Sequence, residues 1–330
     1  MADRVMVLAA PFVRHEPEAG KPLRAAGVEV VHGPEGAIGS AEALTDLLAG
    51  CAGVVASNER YDAAVLSELP ELRIIARWGV GYDSIDLGAA TDAGVIVTNT
   101  PGTLQESVAD QTFALMLSLS RRVPEQIEVA RSLNWRQVEG VELWRKTLGI
   151  VGLGSIGRAV ARRAQGFSMR VLACDPYCSA EDMDALNTTP ACLDELLREA
   201  DVVTLHANLT DDTRGMIGEA QLRAMKPSAL LINCGRGGLV DQPALARALE
   251  EGWIAGAGLD VFEVEPPDAD DPILRAPNTV LTPHNSSMTA DAAARVNAAV
   301  CENILAALGG QTPPSVVNPD VLGEAADTGE

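Results

Sequence analysis

Three residues of reactive types lie in the second half of the chain, each shortly after an apolar run typical of a buried strand. Arg236 stands between glycines in I-N-C-G-R-G-G-L-V-D, Glu265 closes G-L-D-V-F-E-V-E-P-P, and His284 follows proline in V-L-T-P-H-N-S-S-M-T. A guanidinium can bind a carboxylate through two hydrogen bonds. A histidine with a carboxylate behind it suits general acid–base catalysis near neutral pH.

Each of these residues also has a purely structural explanation. A histidine after a strand is usually a packed residue, a glutamate before two prolines can be a solvated loop residue, and an arginine can pair with a surface acid. In an open parallel sheet, however, ligands bind outside the carboxyl ends of the strands. The sequence therefore predicts that Arg236, Glu265 and His284 share one rim beside a cofactor.

A glycine-rich segment predicts which cofactor that is. Residues 146–176 read K-T-L-G-I-V-G-L-G-S-I-G-R-A-V-A-R-R-A-Q-G-F-S-M-R-V-L-A-C-D-P. The three glycines allow a tight turn, a close approach of a pyrophosphate and close packing of helix on strand, and the N–H groups at the start of the helix point at the phosphates. The predicted phosphate-binding residues are Gly152, Gly154, Ser155, Ile156 and Gly157.

Asp175 ends the second apolar run of this segment, where a carboxylate accepts hydrogen bonds from the adenosine ribose. A 2′-phosphate at that place would meet like charge, so NAD(H) is favoured over NADP. The glycine motif alone also occurs as a turn of ordinary α/β proteins. Here the strand before it, the helix after it and the acidic strand end agree, which predicts a βαβ unit that binds NAD(H).

The rest of the chain supplies elements that position these groups. Apolar runs alternate with helical patterns, which indicates parallel sheets covered on both faces, and the first set lacks the glycine turn, so it forms a separate domain. Strands are expected at 5–9, 28–31, 53–56, 74–76, 95–98, 148–151, 171–173, 202–206, 229–233, 256–260 and 280–282. Helices are expected at 17–26, 41–49, 62–67, 86–92, 104–121, 193–199, 219–225, 242–250 and 290–308.

A second glycine-containing loop, A-R-W-G-V-G-Y-D-S-I-D, lies between two expected strands of the first half. The N–H groups of Gly79 and Gly81 could hold a carboxylate. A plain turn capped by Asp83 or Ser84 explains the same residues equally well.

Composition limits the classes of partner. The chain has 330 residues, enough for about two domains, and a net charge of −21, which argues against nucleic acid or an anionic membrane. An anionic substrate would need its own positive site. No apolar run approaches a membrane span, the first residues read as a strand rather than a signal peptide, and six scattered cysteines match no zinc pattern. We therefore expect a reduced, cytoplasmic protein without a structural metal.

Together these segments resemble the D-isomer-specific 2-hydroxyacid dehydrogenases, a family that includes phosphoglycerate, glyoxylate/hydroxypyruvate and D-lactate dehydrogenases. The resemblance covers about residues 50–290 and rests on G-V-G-Y-D-S-I-D, G-L-G-S-I-G, L-H-A-N-L-T, N-C-G-R-G-G-L-V-D, L-D-V-F-E-V-E-P and T-P-H. It implies an α/β fold of two Rossmann-like, doubly wound parallel-sheet domains. These are a discontinuous substrate domain at 1–100 and 288–330 and an NAD-binding domain at 101–287, with dimerisation through the latter.

The resemblance also implies roles for individual residues. Arg236 binds the substrate carboxylate and keto oxygen, His284 protonates the keto oxygen during reduction, and Glu265 favours the protonated form of His284. Implied or candidate substrate ligands in the first half are Arg77, Val80 and Gly81. Further cofactor-binding residues are His206, Thr213, Cys234, Asp260 and His284, with His206 expected to pack beside the cofactor rather than to catalyse. The resemblance places Asp260 and the backbone near Cys234 at positions that hold the nicotinamide amide.

Departures from the family pattern leave more than one substrate compatible with the sequence. Ser84 replaces the usual asparagine, Asn208 stands where L-H-x-P has proline, and N-S-S-M-T follows His284. The R-S-x-T-like loop usual in phosphoglycerate enzymes is missing at 57–60. These features favour a reductase that makes D-2-hydroxy acids from small 2-keto acids. The alternatives are a D-3-phosphoglycerate dehydrogenase and a non-enzymatic, corepressor-like protein that senses NADH.

Overall fold

The computed structural model describes residues 2–34 and 40–326. The chain forms two compact units: unit 1 comprises Met1–Leu104 and Met288–Glu330, and unit 2 comprises Gln105–Ser287. Each unit contains one sheet whose strand pairs are all parallel, which confirms the predicted α/β class with two doubly wound sheets. Among the described residues, no helix is both long enough and apolar enough to cross a membrane.

The first segment of unit 1 supplies a sheet with the strand order β2-β1-β3-β4-β5. Its strands are β1 Arg4–Val7, β2 Glu29–His32, β3 Gly53–Ala56, β4 Ile74–Arg77 and β5 Ile96–Thr98. Its helices are α1 Ala10–Arg14, α2 Lys21–Ala25, α3 Ala41–Leu48, α4 Ala63–Ser67 and α5 Leu87–Asp92. The order reverses between β1 and β3, which is a topological switch point of a flavodoxin-like sheet.

Unit 2 contains a seven-stranded sheet with the order β12-β11-β10-β9-β6-β7-β8. Its strands are β6 Thr147–Val151, β7 Arg170–Cys174, β8 Thr188–Pro190, β9 Val202–Leu205, β10 Leu230–Asn233, β11 Gly256–Leu259 and β12 Thr279–Leu281. Its helices are α6 Gln105–Ser120, α7 Val123–Arg131, α8 Ser155–Gly166, α9 Ala180–Ala185, α10 Leu193–Glu199, α11 Glu219–Ala224 and α12 Gln242–Glu250. The switch point lies between β6 and β9, which is where a dinucleotide binds in this kind of sheet.

The central strands of unit 2 are buried on both faces, as expected of a parallel sheet covered by helices. All four residues of β9, β10 and β11 are buried. Small residues let helices approach: a Cβ at Gly149 would lie 2.4 Å from Leu196 Cδ2, and one at Gly258 would lie 3.0 Å from Leu115 Cβ. This close packing fixes the strand ends that carry the predicted site.

The last helix, α13 Ala290–Leu308, returns to unit 1. The side chain of Thr289 accepts a hydrogen bond from Ala292 N and caps its start. Asn297 on α13 accepts a hydrogen bond from Trp78 Nε1 at 2.7 Å, which ties the helix to the residue after β4. The long helix therefore holds the loop that was predicted to contact substrate.

Some expected elements differ from those observed. The bounds of the helix expected at 17–26 are wrong: turns occupy 15–20, and α2 covers only Lys21–Ala25, with Pro22 in its first turn. Four short elements were not predicted, namely α1, α7, α9 and β8. No residue of α7 is buried and two of three residues of β8 are exposed, so neither has the apolar pattern that marks an element in sequence.

Candidate active site

The turn between β6 and α8 has the geometry of a phosphate-binding loop. Gly152 has a φ of +90°, and a Cβ there would lie 2.6 Å from Ala207 N. A Cβ at Gly157 would lie 2.1 Å from Gly152 O, whereas one at Gly154 would meet no atom within 4 Å. Ser155 and Ile156 open α8, whose first N–H groups lack intrahelical acceptors. The backbone is thus crowded where helix meets strand and open where a pyrophosphate would approach.

Asp175 follows β7 and is held by two backbone donors. Its Oδ2 accepts a hydrogen bond from Leu153 N at 2.6 Å, and its Oδ1 accepts one from Tyr177 N at 2.8 Å. A carboxylate has about four acceptor positions, so positions remain for the hydroxyls of a ribose. The loop and this carboxylate therefore fit the adenosine diphosphate part of NAD(H).

His206 and Thr213 lie beyond β9, on the other side of the switch point. His206 Nε2 lies 2.9 Å from Thr204 Oγ1, and burial lowers the pKa of His206 to about 3, so its ring is neutral at physiological pH. Thr213 donates to Asn208 O at 2.7 Å and accepts from Thr210 N at 2.8 Å. His206 is therefore a neutral, packed residue at the end of β9, and Thr213 stabilises the loop that follows this strand.

His284 and Glu265 form a hydrogen-bonded pair at the carboxyl ends of the last two strands of the sheet. His284 Nδ1 lies 2.6 Å from Glu265 Oε2, and the two side chains are 39% and 32% exposed. Glu265 Oε1 also accepts from Phe262 N at 3.0 Å, which fixes the carboxylate within its own loop. Because Nδ1 is engaged, Nε2 is the ring atom left to meet a substrate.

The electrostatic environment keeps Glu265 ionised. Burial by itself would raise the pKa of Glu265, but the hydrogen bond and charge of His284, the Phe262 N–H and the charge of Arg236 together hold it below its usual value. The ionised carboxylate lies 2.6 Å from His284 Nδ1 and fixes the orientation of the ring.

Arg236 extends from a turn after β10 that is shaped by Asn233. Asn233 Oδ1 accepts from Gly235 N at 3.0 Å, and its Nδ2 donates to Arg236 O at 2.9 Å. A Cβ at Gly237 would lie 1.9 Å from the carbonyl carbon of Phe262. Only glycine fits there, and this contact sets the Arg236 turn directly against the loop that carries Glu265.

Asp260 is fully buried at the end of β11 and anchors the segment that carries His284. Its Oδ1 accepts from Thr282 Oγ1 at 2.5 Å and Asn285 N at 2.8 Å. Its Oδ2 accepts from Ser286 N at 2.9 Å and from the Ser286 hydroxyl. Asp260 O also accepts from His284 N at 2.8 Å, while His284 adopts a left-handed φ of 51°. Hydrogen-bond donors before and after His284 in the sequence therefore bind the same carboxylate, that of Asp260.

This anchoring role was missed in the sequence, where Asp260 was assigned only to the nicotinamide amide. The signal was the pair of hydroxyl residues, Thr282 and Ser286, placed symmetrically two positions before and after His284. The four donors occupy the acceptor positions that a carboxylate offers. Cys234, assigned to the same amide, is buried, and burial raises the pKa of its thiol to about 12 despite hydrogen bonds with Thr112 and Ser286.

The residues of unit 1 that were predicted to contact substrate lie at the end of β4 and in the loop after it. Arg77 Nη2 donates to Asn58 Oδ1 at 2.7 Å, and Nη1 donates to the Trp78 carbonyl. Asn99 Nδ2 donates to Val80 O at 2.8 Å, which holds the loop of Val80 and Gly81 from the neighbouring strand. Within unit 1, these residues therefore share one strand-end region.

The strand order, the glycine loop and the carboxylate after β7 define an NAD-binding α/β protein. Comparison with known proteins narrows the class. The family described as "D-isomer specific 2-hydroxyacid dehydrogenase, NAD binding domain" matches residues 113–286. A glyoxylate reductase of Korarchaeum cryptofilum is 47% identical over 271 residues, covering 80% of this chain and 82% of that protein. A glyoxylate reductase of Thermococcus litoralis is 43% identical over 274 residues, with coverage of 80% and 82%.

Solved structures agree with this family. D-lactate dehydrogenase from Aquifex aeolicus, complexed with NAD and lactic acid, matches with a TM-score of 0.84 at 29% identity, covering 96% of this chain and 99% of that chain. The chain belongs to the D-isomer specific 2-hydroxyacid dehydrogenase family, which confirms the resemblance seen in the sequence. It is an NAD-dependent oxidoreductase that acts on a CH–OH group and interconverts keto and hydroxy acids.

Proposed function

We propose that this enzyme reduces a small 2-keto acid with NADH, giving a 2-hydroxy acid of D configuration where the carbon is stereogenic. The observation that carries the proposal is the 2.6 Å contact between His284 Nδ1 and Glu265 Oε2 in the unit with the NAD-binding loop. Glyoxylate is the first substrate to test, because the relatives at 43–47% identity are glyoxylate reductases.

The cofactor supplies the hydride, and the residues of the chain supply orientation and a proton. In the proposed reduction, His284 donates its Nε2 proton to the keto oxygen while Glu265 holds the ring through Nδ1. The neutral ring then takes a proton from solvent. In the oxidation direction the same nitrogen accepts the hydroxyl proton.

Arg236 is proposed to bind the substrate carboxylate and to polarise the keto oxygen. An anionic substrate approaches a chain with a net charge of −21, so a local guanidinium is needed to offset the repulsion. For unit 1 taken alone, we propose that the N–H groups of Val80 and Gly81 bind a carboxylate and that Arg77 contacts a further polar group of the ligand.

We also propose that unit 1 is the substrate domain and that unit 2 is the cofactor domain, which binds NAD(H) through the residues predicted from the sequence.

Large apolar side chains are exposed in unit 2: Leu133 at 82%, Trp135 at 84% and Trp144 at 55%. Such a patch supports a homodimer formed through this unit.

All six cysteines are free, which supports a reducing compartment such as the cytoplasm.

A panel of keto acids tests the proposed function. NADH oxidation is measured with glyoxylate, hydroxypyruvate, pyruvate, phenylpyruvate and 3-phosphohydroxypyruvate, and the highest kcat/KM is expected for glyoxylate or hydroxypyruvate. A clear preference for the phosphorylated acid would instead favour phosphoglycerate dehydrogenase. Tight NADH binding without turnover of any acid would favour a non-enzymatic sensor.

The preference for NAD over NADP is expected to depend on Asp175. Replacement of Asp175 by alanine removes the negative charge that a 2′-phosphate would meet, so the ratio of kcat/KM for NADH to that for NADPH should fall about tenfold to a hundredfold. Asp184→Ala, on the exposed side of α9, serves as the control and should leave the ratio unchanged. An unaltered ratio in the Asp175 variant would refute the assignment.

A further inference from the structure

A cavity of about 360 Å³ lies at the carboxyl ends of β7 and β8, and two thiols contribute to its walls. Asp175, Cys178, Cys192 and Glu195 all line it. Cys178 is half-buried and Cys192 is exposed, and both are free thiols. Two accessible sulfurs therefore share a cavity with the carboxylate that is proposed to bind the ribose.

The Cys178 sulfur is also connected to the phosphate-binding loop. Arg158 Nη2 donates to Cys178 Sγ at 3.4 Å and to Asp182 Oδ2 at 3.2 Å, while Arg158 Nε donates to Leu153 O at 3.1 Å. Leu153 N in turn donates to Asp175 Oδ2 at 2.6 Å. One guanidinium thus joins the loop after β7 to the glycine loop, and the sulfur is one of its attachment points.

Four of the other cysteines differ from this thiol in environment. Desolvation raises the pKa of Cys51 and of the half-buried Cys174, and it raises the pKa values of Cys234 and Cys301 to about 12. A thiol with a raised pKa is a poor nucleophile, whereas reactive cysteines are partly accessible and lie near a cationic side chain. Cys178, by contrast, is half-buried and accepts a hydrogen bond from Arg158.

We propose that Cys178 is a thiol-modification site at which a small disulfide weakens NAD(H) binding. The sulfur, its proton lost to solvent, attacks one sulfur of the disulfide. A bond forms between Cys178 and that sulfur, the original S–S bond breaks, and the second half leaves as a thiolate that takes a proton from solvent. The attached group would occupy the cavity and displace Arg158 from the sulfur, so the ribose-binding and phosphate-binding loops would separate.

The inference rests on the NAD(H) cofactor and does not depend on which acid is the substrate. Full-length protein is treated with glutathione disulfide, the adduct is located by peptide mass spectrometry, and NADH affinity is measured directly by fluorescence titration. Treatment should raise the Kd for NADH about tenfold, as expected for loss of a hydrogen bond to a charged group. Dithiothreitol should restore the affinity, and saturating NADH should slow adduct formation.

Two serine variants make the test specific, each compared with its own untreated sample. Cys178→Ser keeps an oxygen that can accept from Arg158 but removes the thiol, so its NADH affinity should not respond to the disulfide. Cys192→Ser should respond like the unsubstituted protein. The proposal is overturned if the adduct forms only on Cys192, or if an adduct on Cys178 leaves the Kd for NADH unchanged. Failure of the keto-acid panel would not affect these readouts.

Discussion

Replacement of His284 by alanine is expected to lower kcat with the best 2-keto acid by about two to four orders of magnitude, the usual contribution of a general acid. NADH affinity should change little, because the phosphate-binding loop and Asp175 lie at other strands of the sheet. The substitution removes the ring held at 2.6 Å from Glu265, and no other histidine of the chain follows β12. Steady-state kinetics and NADH titration measure the two effects separately.

Substitution of Glu265 separates its contribution from that of His284, the proposed general acid. Glu265→Gln keeps the shape of the side chain but removes the negative charge beside His284 Nδ1, so kcat should fall, though less than in the His284 variant. Glu263→Gln, the same change two residues earlier on an exposed side chain, should leave kcat unchanged. Undiminished turnover in the His284 variant would remove this residue from the proposed mechanism.

The native enzyme should tolerate mild acid. The pKa of Glu265 is held below its model-compound value of 4.5. A carboxylate with a depressed folded pKa contributes its stabilising interaction above the unfolded pKa and loses it as pH falls through the folded pKa. The negative charge of Glu265 is therefore present throughout the neutral range.

Local sequence signals predicted the elements that have caps and an apolar pattern. The bounds of α10, α12 and α13 coincide with those expected, because each has an apolar face and the last two have a capping side chain, from Asp241 and Thr289. Six of the seven strands of unit 2, all except β8, were found as short apolar runs. The short α7 lacked such a signal: Arg122 before it is left-handed and no residue of the helix is buried.

The candidate site could be predicted only in part. Strand-end placement follows from the order of apolar runs, so the rim that carries Arg236, Glu265 and His284 could be proposed from sequence. The contact between Asp260 and the donors around His284 could not, because it depends on the register of two adjacent strands and on a left-handed residue. The link from Arg158 to Cys178 was missed for a similar reason, since the helix and the loop meet only in the folded unit.

Replacement of Asp260 by asparagine is expected to destabilise unit 2 and to reduce kcat by about a hundredfold. One oxygen becomes an NH₂ group that faces two donors, and each unsatisfied buried group costs about 1–3 kcal/mol. If the NH₂ group takes the place of Oδ1, the segment that carries His284 loses its anchors at Thr282 and Asn285, on both sides of a residue with a φ of 51°. Misplacing a catalytic group by about 1 Å can cost a hundredfold in rate.

Thermal unfolding, kcat and NADH affinity of the Asp260 variant separate its two possible roles. Ser286→Ala is the matched control, because it removes one hydroxyl donor and keeps the carboxylate, so its effects should be smaller in the same direction. If Asp260 acts as the anchor, stability and kcat fall while the Kd for NADH stays within about threefold, less than one hydrogen bond is worth. A variant that unfolds like the native protein but binds NADH poorly would show instead that Asp260 contacts the nicotinamide amide. In that case the donors around His284 would have to exchange this carboxylate for another acceptor when the cofactor binds.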